Sequence, residues 1–308
     1  MKLLVFDGTK FIGRAVVERA LELGHEVAVY HRGETEPDDM PAILHIHGDN
    51  IDVADNIDEI KAFGADAVID TTQFDTQRTQ AVVDALTGVI ERYVLVSSMD
   101  VYRVYGLINN TEPGPPQPMP VAETAELRIL PGADHTVDVD NLFAEAAALE
   151  QSGLDATVAR LPAVFGPRDY QRRVDLLVEE MADSLTEVKM TPRSANFRWT
   201  WGYVKNIADM LLILAGDRRN GNRIYNLGYP EAASNLEMFK MIAEAADWQG
   251  EVVVEDDGSP DGANLIKDWI ADTSKFRRDF NYTERFSIEE AFKFTAEHVL
   301  RNGGADYD

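Results

Sequence analysis

The chain has 308 residues, with 54 Asp+Glu against 29 Lys+Arg, a formal charge of −25. That charge repels nucleic-acid backbones and anionic membrane surfaces, and no basic run offsets it, so neither is an expected partner. Cysteine is absent, which excludes disulfides, a thiolate nucleophile and Cys-ligated metals; no metal site is expected.

An apolar share of 45% supports a sizeable core, and no apolar run reaches the roughly 18 residues of a membrane span. The opening residues lack the basic, apolar and small-residue regions of a secretory signal, so a soluble, cytoplasmic protein is expected. Acid spread along the whole chain resembles the composition of proteins from salt-loaded, halophilic cytoplasm.

From Lys2 to Leu161 short β-branched runs alternate with amphipathic helical stretches, the pattern of βαβ units on a parallel sheet. The predicted strands are Lys2–Phe6, Glu26–Tyr30, Ile43–His47, Ala67–Asp70, Tyr93–Ser97 and Thr157–Leu161. They are apolar on both faces, as strands covered by helices on each side must be. Between Tyr102 and His135 lies a Pro- and Gly-rich segment containing Pro113-Gly114-Pro115-Pro116-Gln117-Pro118. Such a stretch cannot be helix and reads as a lid, a binding loop or a disordered insert. Beyond Pro162 the pattern predicts helices at Val174–Ser184, from Asn206, at Leu236–Ala246 and at Ile288–Arg301. Strands are predicted at Ile224–Leu227 and Glu251–Val254, with an irregular stretch at Arg198–Val204.

The first strand runs straight into Asp7-Gly8-Thr9-Lys10-Phe11-Ile12-Gly13, followed by a helical pattern through Leu23. A helix N-terminus behind a glycine-bearing turn offers unpaired N–H groups and a positive dipole end to a pyrophosphate. Gly8, Thr9, Lys10, Phe11, Ile12 and Gly13 are therefore candidate phosphate-binding residues. The arrangement resembles the extended and atypical short-chain dehydrogenase/reductase superfamily, in particular its NAD-dependent epimerase/dehydratase family, whose loop reads G-x-x-G-x-x-G. On that pattern the glycine positions fall on Asp7, Lys10 and Gly13, and only the last is kept.

The second strand ends in His31-Arg32, where a NAD-specific site places an acid on the ribose 2′-hydroxyl. No acid stands there, so Arg32, helped by His31, is read as taking a 2′-phosphate, and NADP is expected ahead of NAD. The resemblance also implies an adenine contact at Asp49 and Asn50, and a cofactor-lining turn at Thr71, Thr72 and Gln73.

Ser97-Ser98-Met99-Asp100-Val101-Tyr102 resembles the family's S-S-x-x-V-Y element beside the nicotinamide. The resemblance puts Ser97 against the cofactor, Ser98 in the place of the catalytic Ser/Thr and Asp100 where dehydratases carry a general base; Tyr102 is a third catalytic candidate. Ser98 and Asp100 also suit simple capping of the next turn. The family's Tyr-x-x-x-Lys pair should fall at 137 and 141, but Val137 has no proton to move and Asn141 no charge to depress a phenol's pKa. Tyr102, Tyr105, His135, Asp138 and Asp140 are the candidate substitutes.

Pro162-Ala163-Val164-Phe165-Gly166-Pro167 followed by Arg168-Asp169 resembles the family's crossover out of the cofactor domain, which makes Pro162 and Phe165 candidate lining residues. Arg168, Arg193 and Arg198, with Arg172 and Arg173, are candidates for holding a substrate diphosphate, a task suited to a planar bidentate donor. Trp199 and Trp201 are candidates for stacking on a base or sugar.

The expected fold is α/β: a Rossmann-type, doubly wound parallel sheet with a smaller C-terminal α/β substrate lobe. The cofactor domain is assigned to residues 1–166, with 199–228 returning to it, and the lobe to 167–198 and 229–308. The expected function is an NAD(P)-dependent epimerase/dehydratase-like oxidoreductase acting on a sugar nucleotide or a related hydroxyl or carbonyl compound. The alternative is a non-catalytic NAD(P)-binding sensor or scaffold. The resemblance also implies a homodimer.

Overall fold

The structure is a computed structural model that describes residues 1–72, 76–129, 140–183, 186–256 and 268–302. Its first half runs β1 (Lys2–Phe6), α1 (Phe11–Glu22), β2 (Glu26–His31), β3 (Leu44–His47), α2 (Ile57–Phe63), β4 (Ala67–Asp70), α3 (Thr76–Leu86) and β5 (Arg92–Ser98). Then follow α4 (Arg103–Ile108), α5 (Asn141–Glu150) and β6 (Asp155–Leu161).

Among the described residues, seven strands form one parallel sheet in the order Arg223–Asn226, β6, β5, β4, β1, β2, β3. The chain direction across the sheet reverses at β1, which has β2 on one side and β4 on the other. In an open α/β sheet that switch point leaves a crevice outside the strand carboxyl ends.

The near-continuous apolar character of the strands follows from burial on both faces. Leu3 and Val5 of β1 pack on one side with α1 and the helix Val204–Ala215, whereas Leu4 and Phe6 face the other with Ile60, Val82 and Ala144. All four are fully buried.

The proline-rich segment departs from expectation in one respect. Its first six residues form α4, because the prolines begin only at Pro113, after the helix has ended. The segment is also tied down: the Gln117 amide accepts from Val104 N–H at 2.8 Å and donates to the Glu126 carbonyl at 2.8 Å. The stretch Arg198–Val204 resolves into two short strands, Arg198–Trp199 and Trp201–Tyr203, the second pairing in parallel with Ala163–Phe165. Among the described residues no helix is long and apolar enough to cross a membrane.

Candidate functional site

Two adjoining cavities open at the strand carboxyl ends. The smaller, of 310 Å³, is lined by Asp7, Thr9, Lys10, Phe11, Ile12, Gly13, Arg32, Glu34, Thr35, Thr71, Thr72 and Tyr170. The larger, of 370 Å³, shares Phe11, Ile12 and Tyr170 and adds Ser97, Ser98, Asp100, Tyr105, Pro162, Arg173, Trp199 and Trp269 among others.

In the loop between β1 and α1 the backbone packs too closely for side chains at two positions. A Cβ on Gly13 would lie 2.3 Å from the Asp7 carbonyl oxygen, and one on Gly8 would lie 2.4 Å from a Val29 methyl, so neither position admits a side chain. The first turn of α1 carries no acidic side chain, and its N-cap, Lys10, makes no side-chain hydrogen bond to the helix. The α1 N-terminus, whose first residues line the smaller cavity, therefore carries neither a side-chain cap nor a first-turn carboxylate.

Asp7 takes the first glycine position with φ at +55°, a left-handed conformation that favours glycine. Asp7 is one of the residues lining the smaller cavity. Burial and the nearby Asp70 push its pKa above the ordinary value, while Arg32 and Arg78 oppose that rise. Behind it the turn after β4 is closely knit. Asp70 accepts from Thr72 N–H at 2.9 Å and from the Tyr93 hydroxyl at 2.5 Å. Asn50 donates to the Thr72 hydroxyl at 2.8 Å, and Thr71 donates to the Phe6 carbonyl at 2.7 Å.

At the end of β2, Arg32 and Glu34 pair at 3.0 Å and line the same cavity. No acid adjoins the strand end in sequence, but Glu34, two residues beyond Arg32, is brought back by the left-handed Gly33. His31 does not line the cavity. It is 3% exposed, faces His45 and His47, and is held below its usual pKa by burial and those rings. Asp49 lines neither cavity; it caps the following turn through Ile51 N–H and pairs with Arg78 at 3.1 Å.

At the end of β5, Ser98 lines the larger cavity while its hydroxyl accepts from Asp100 N–H at 3.1 Å. Capping and cavity lining therefore coexist at Ser98. Asp100 also lines the cavity, with Arg128 at 3.7 Å and Asn141 Nδ2 at 3.4 Å from one carboxylate oxygen. Arg128 is held by a fully buried, two-pronged pair with Asp140 at 2.9 and 3.0 Å.

Ser97 lies deeper, donating to Glu145 at 2.5 Å, and Glu145 in turn grips the buried Arg160 at 2.6 Å. Tyr102 is a correction. It is fully buried, donates to Asn226 at 2.6 Å, lies under the Arg160 guanidinium and has its pKa raised by burial. It touches neither cavity, because the turn after β5 points it into the sheet edge, while Tyr105, one helical turn on, reaches the cavity.

On the substrate side Pro162 lines the larger cavity, but Phe165 is fully buried and stacks on Phe292 at 4.4 Å. Of the arginines, Arg173 lines the cavity, anchored by Asp169 at 3.1 Å and by the Val164 carbonyl at 3.0 Å. Arg168 turns away to Asp39 and Glu18, Arg198 donates to the Ala232 carbonyl, and Arg193 lies exposed on the helix Pro192–Asn196. Trp199 lines the cavity beside Trp269, with ring centroids 5.6 Å apart, whereas Trp201 is core.

Tyr170 joins the two cavities and meets Phe11 edge-on at 6.0 Å; neither Tyr170 nor Trp269 stands out in the sequence as a site residue. Gln73, His135, Val137 and Asp138 lie outside the described residues.

The model of the NAD dependent epimerase/dehydratase family matches residues 3–228. The chain belongs to this family. It is similar in fold to UDP-glucose 4-epimerase of Thermotoga maritima, solved with UDP-glucose. That match has 18% identity and a TM-score of 0.74, covering 98% of this chain and 99% of that one. It is also similar to dTDP-glucose 4,6-dehydratase of Bacillus anthracis, solved with NAD, at 15% identity and a TM-score of 0.76, over 98% and 97% of the two chains. The enzyme WbmG of Bordetella bronchiseptica, solved with NAD and UDP, matches at 16% identity and a TM-score of 0.76, over 99% and 97%.

In sequence the chain is 22% identical over 266 residues to the chloroplast stem-loop binding protein of 41 kDa b of Arabidopsis thaliana, over 82% of this chain. The match spans 65% of that relative's length.

Proposed function

We propose that this chain binds an adenine dinucleotide across the carboxyl ends of β1, β2, β4 and β5, and that it acts on a sugar nucleotide or related hydroxyl or carbonyl compound held in the larger cavity. The observation that carries the reading is Gly13 packed on the Asp7 carbonyl beneath an uncapped α1 N-terminus, next to a second cavity. The amides of Thr9 to Gly13 would hold the pyrophosphate, with Lys10 adding a positive charge. When bound, the dinucleotide supplies a hydride acceptor at its nicotinamide.

The chain's own residues would do the rest. Ser98 donates to a substrate oxygen, Asp100 takes the proton of a substrate hydroxyl, and Arg173 pairs with an anionic group of the substrate. Tyr105, Trp199 and Trp269 offer faces for a base or sugar. For the cofactor's ribose we favour NAD over NADP. Glu34 accepts from ribose hydroxyls, and a 2′-phosphate would have to displace that carboxylate from Arg32. The bound NAD of the solved relatives supports this choice.

A second reading, a dinucleotide-binding protein without hydride chemistry, is favoured by Asn141, which brings no charge to the Lys position of the family. A nucleic-acid partner, as in the name of the chloroplast relative, is disfavoured by the net charge of −25. Fluorescence titration with NADH and NADPH, followed by turnover assays on UDP- and dTDP-linked sugars, separates the two readings. Binding with turnover supports the first, and binding without turnover across the panel supports the second. Failure of both nucleotides to bind overturns both.

A further inference from the structure

Half of the six histidines of this chain meet at one place, the β2–β3 edge of the sheet. The parallel register sets His31 opposite His47 and Val29 opposite His45. Side chains alternate faces along a strand, so His45 and His47 share a face, and the register puts His31 on it too. Glu36, on the connection between the two strands, reaches back over the three rings.

The donor atoms converge on one point. Glu36 Oε1 lies 2.6 Å from His47 Nε2, 3.5 Å from His31 Nε2 and 3.6 Å from His45 Nδ1, and His31 Nε2 lies 2.9 Å from His45 Nδ1. All four ligand atoms fall within 4.8 Å of one another. Four donors about 2.0–2.1 Å from a tetrahedral zinc stand roughly 3.3 Å apart, close to these separations. Pairwise hydrogen bonds would not require such convergence.

We propose that His31, His45, His47 and Glu36 form a binding site for a divalent transition metal of the zinc class. Three imidazoles and one carboxylate suit zinc, whereas calcium and magnesium demand mostly oxygen ligands. Gly33 N–H now donates to His31 Nδ1 at 3.2 Å. Ligation through Nε2 moves the ring proton to Nδ1, and that contact is given up. The metal would then pin the stretch that carries Arg32, Glu34 and Thr35 to the sheet edge. The site stands whether or not the cleft binds a dinucleotide.

The test is equilibrium dialysis of the full chain, first stripped with chelator, against zinc chloride in the presence of excess magnesium to saturate weak carboxylate sites. One zinc per chain is expected. His47→Gln should weaken binding on the order of 100-fold and Glu36→Gln about tenfold. Both residues are half-exposed at the surface, so the variants should keep the metal-free melting temperature of the parent. Loading with cobalt(II) should give the visible absorption of a four-coordinate ion, lost in His47→Gln. Equal zinc uptake by the parent and the double variant Glu36→Gln/His47→Gln, or no uptake by the parent, overturns the proposal.

Discussion

Asn141 points its side-chain nitrogen at Asp100, 3.4 Å from one carboxylate oxygen and 3.5 Å from the other. A neutral amide, not a charged group, thus contacts the carboxylate proposed as base. Asp100→Asn tests that carboxylate directly. Arg128 keeps its pair with Asp140, so the fold should hold. Dinucleotide affinity should stay within about twofold, while turnover of any accepted sugar nucleotide falls by about 10²–10⁴. Steady-state kinetics beside a binding titration checks the split; unchanged turnover removes Asp100 from the chemistry.

Asp7→Gly should improve both stability and binding. It relieves a left-handed residue, worth about 1 kcal/mol, and takes a carboxylate away from the proposed pyrophosphate site. Dinucleotide affinity should rise about tenfold, equal to about 1.4 kcal/mol. Calorimetric titration and thermal melting measure the two effects independently, and weaker binding in the variant would show that Asp7 helps rather than hinders the anion.

The same residue makes binding depend on pH. The folded-state pKa of Asp7 lies above the ordinary carboxyl value of about 4, and a bound pyrophosphate would repel its ionised form. Binding therefore takes up a proton, and affinity should rise as pH falls from neutral through the raised pKa. In Asp7→Gly this part of the pH dependence should vanish. A parent profile that is flat between about pH 4 and 7 would contradict the assignment.

The proposed preference for NAD turns on the pair Arg32–Glu34. Glu34→Gln frees Arg32 of its ionic partner and replaces the charged acceptor for ribose hydroxyls with a weaker neutral one. The ratio of NADP to NAD affinity should rise about tenfold or more. Competitive titration of the two nucleotides reads the ratio, and no change would show that neither residue reaches the ribose.

The pair Glu145–Arg160 should carry stability rather than binding. Both side chains are almost fully buried, so Glu145→Ala leaves an uncompensated guanidinium in the core at a cost of about 3–5 kcal/mol. Arg198→Ala, on an exposed side chain, should change stability by less than about 0.5 kcal/mol. Chemical denaturation of the two variants gives the contrast.

The amino-acid sequence by itself determined the parallel sheet. Runs such as Leu3 to Phe6 and Val27 to Tyr30 are apolar on both faces, and strands of that kind need helices above and below, which the intervening 3.6-residue periodicity supplied. It also marked the turn from Gly8 to Gly13, because a strand that runs through a glycine-bearing turn straight into a helix is legible in local order alone. What the tertiary structure decided was direction and pairing. Tyr102 and Tyr105 are near neighbours of one residue type, yet one turns into the core and the other into the cavity. Arg168 and Arg173 lie five residues apart, and only Arg173 faces the cleft. Glu34 and the His31–Glu36–His45–His47 cluster arise from contacts across a turn and between strands. Local spacing carries no record of those contacts, since they depend on where distant backbone segments come to lie.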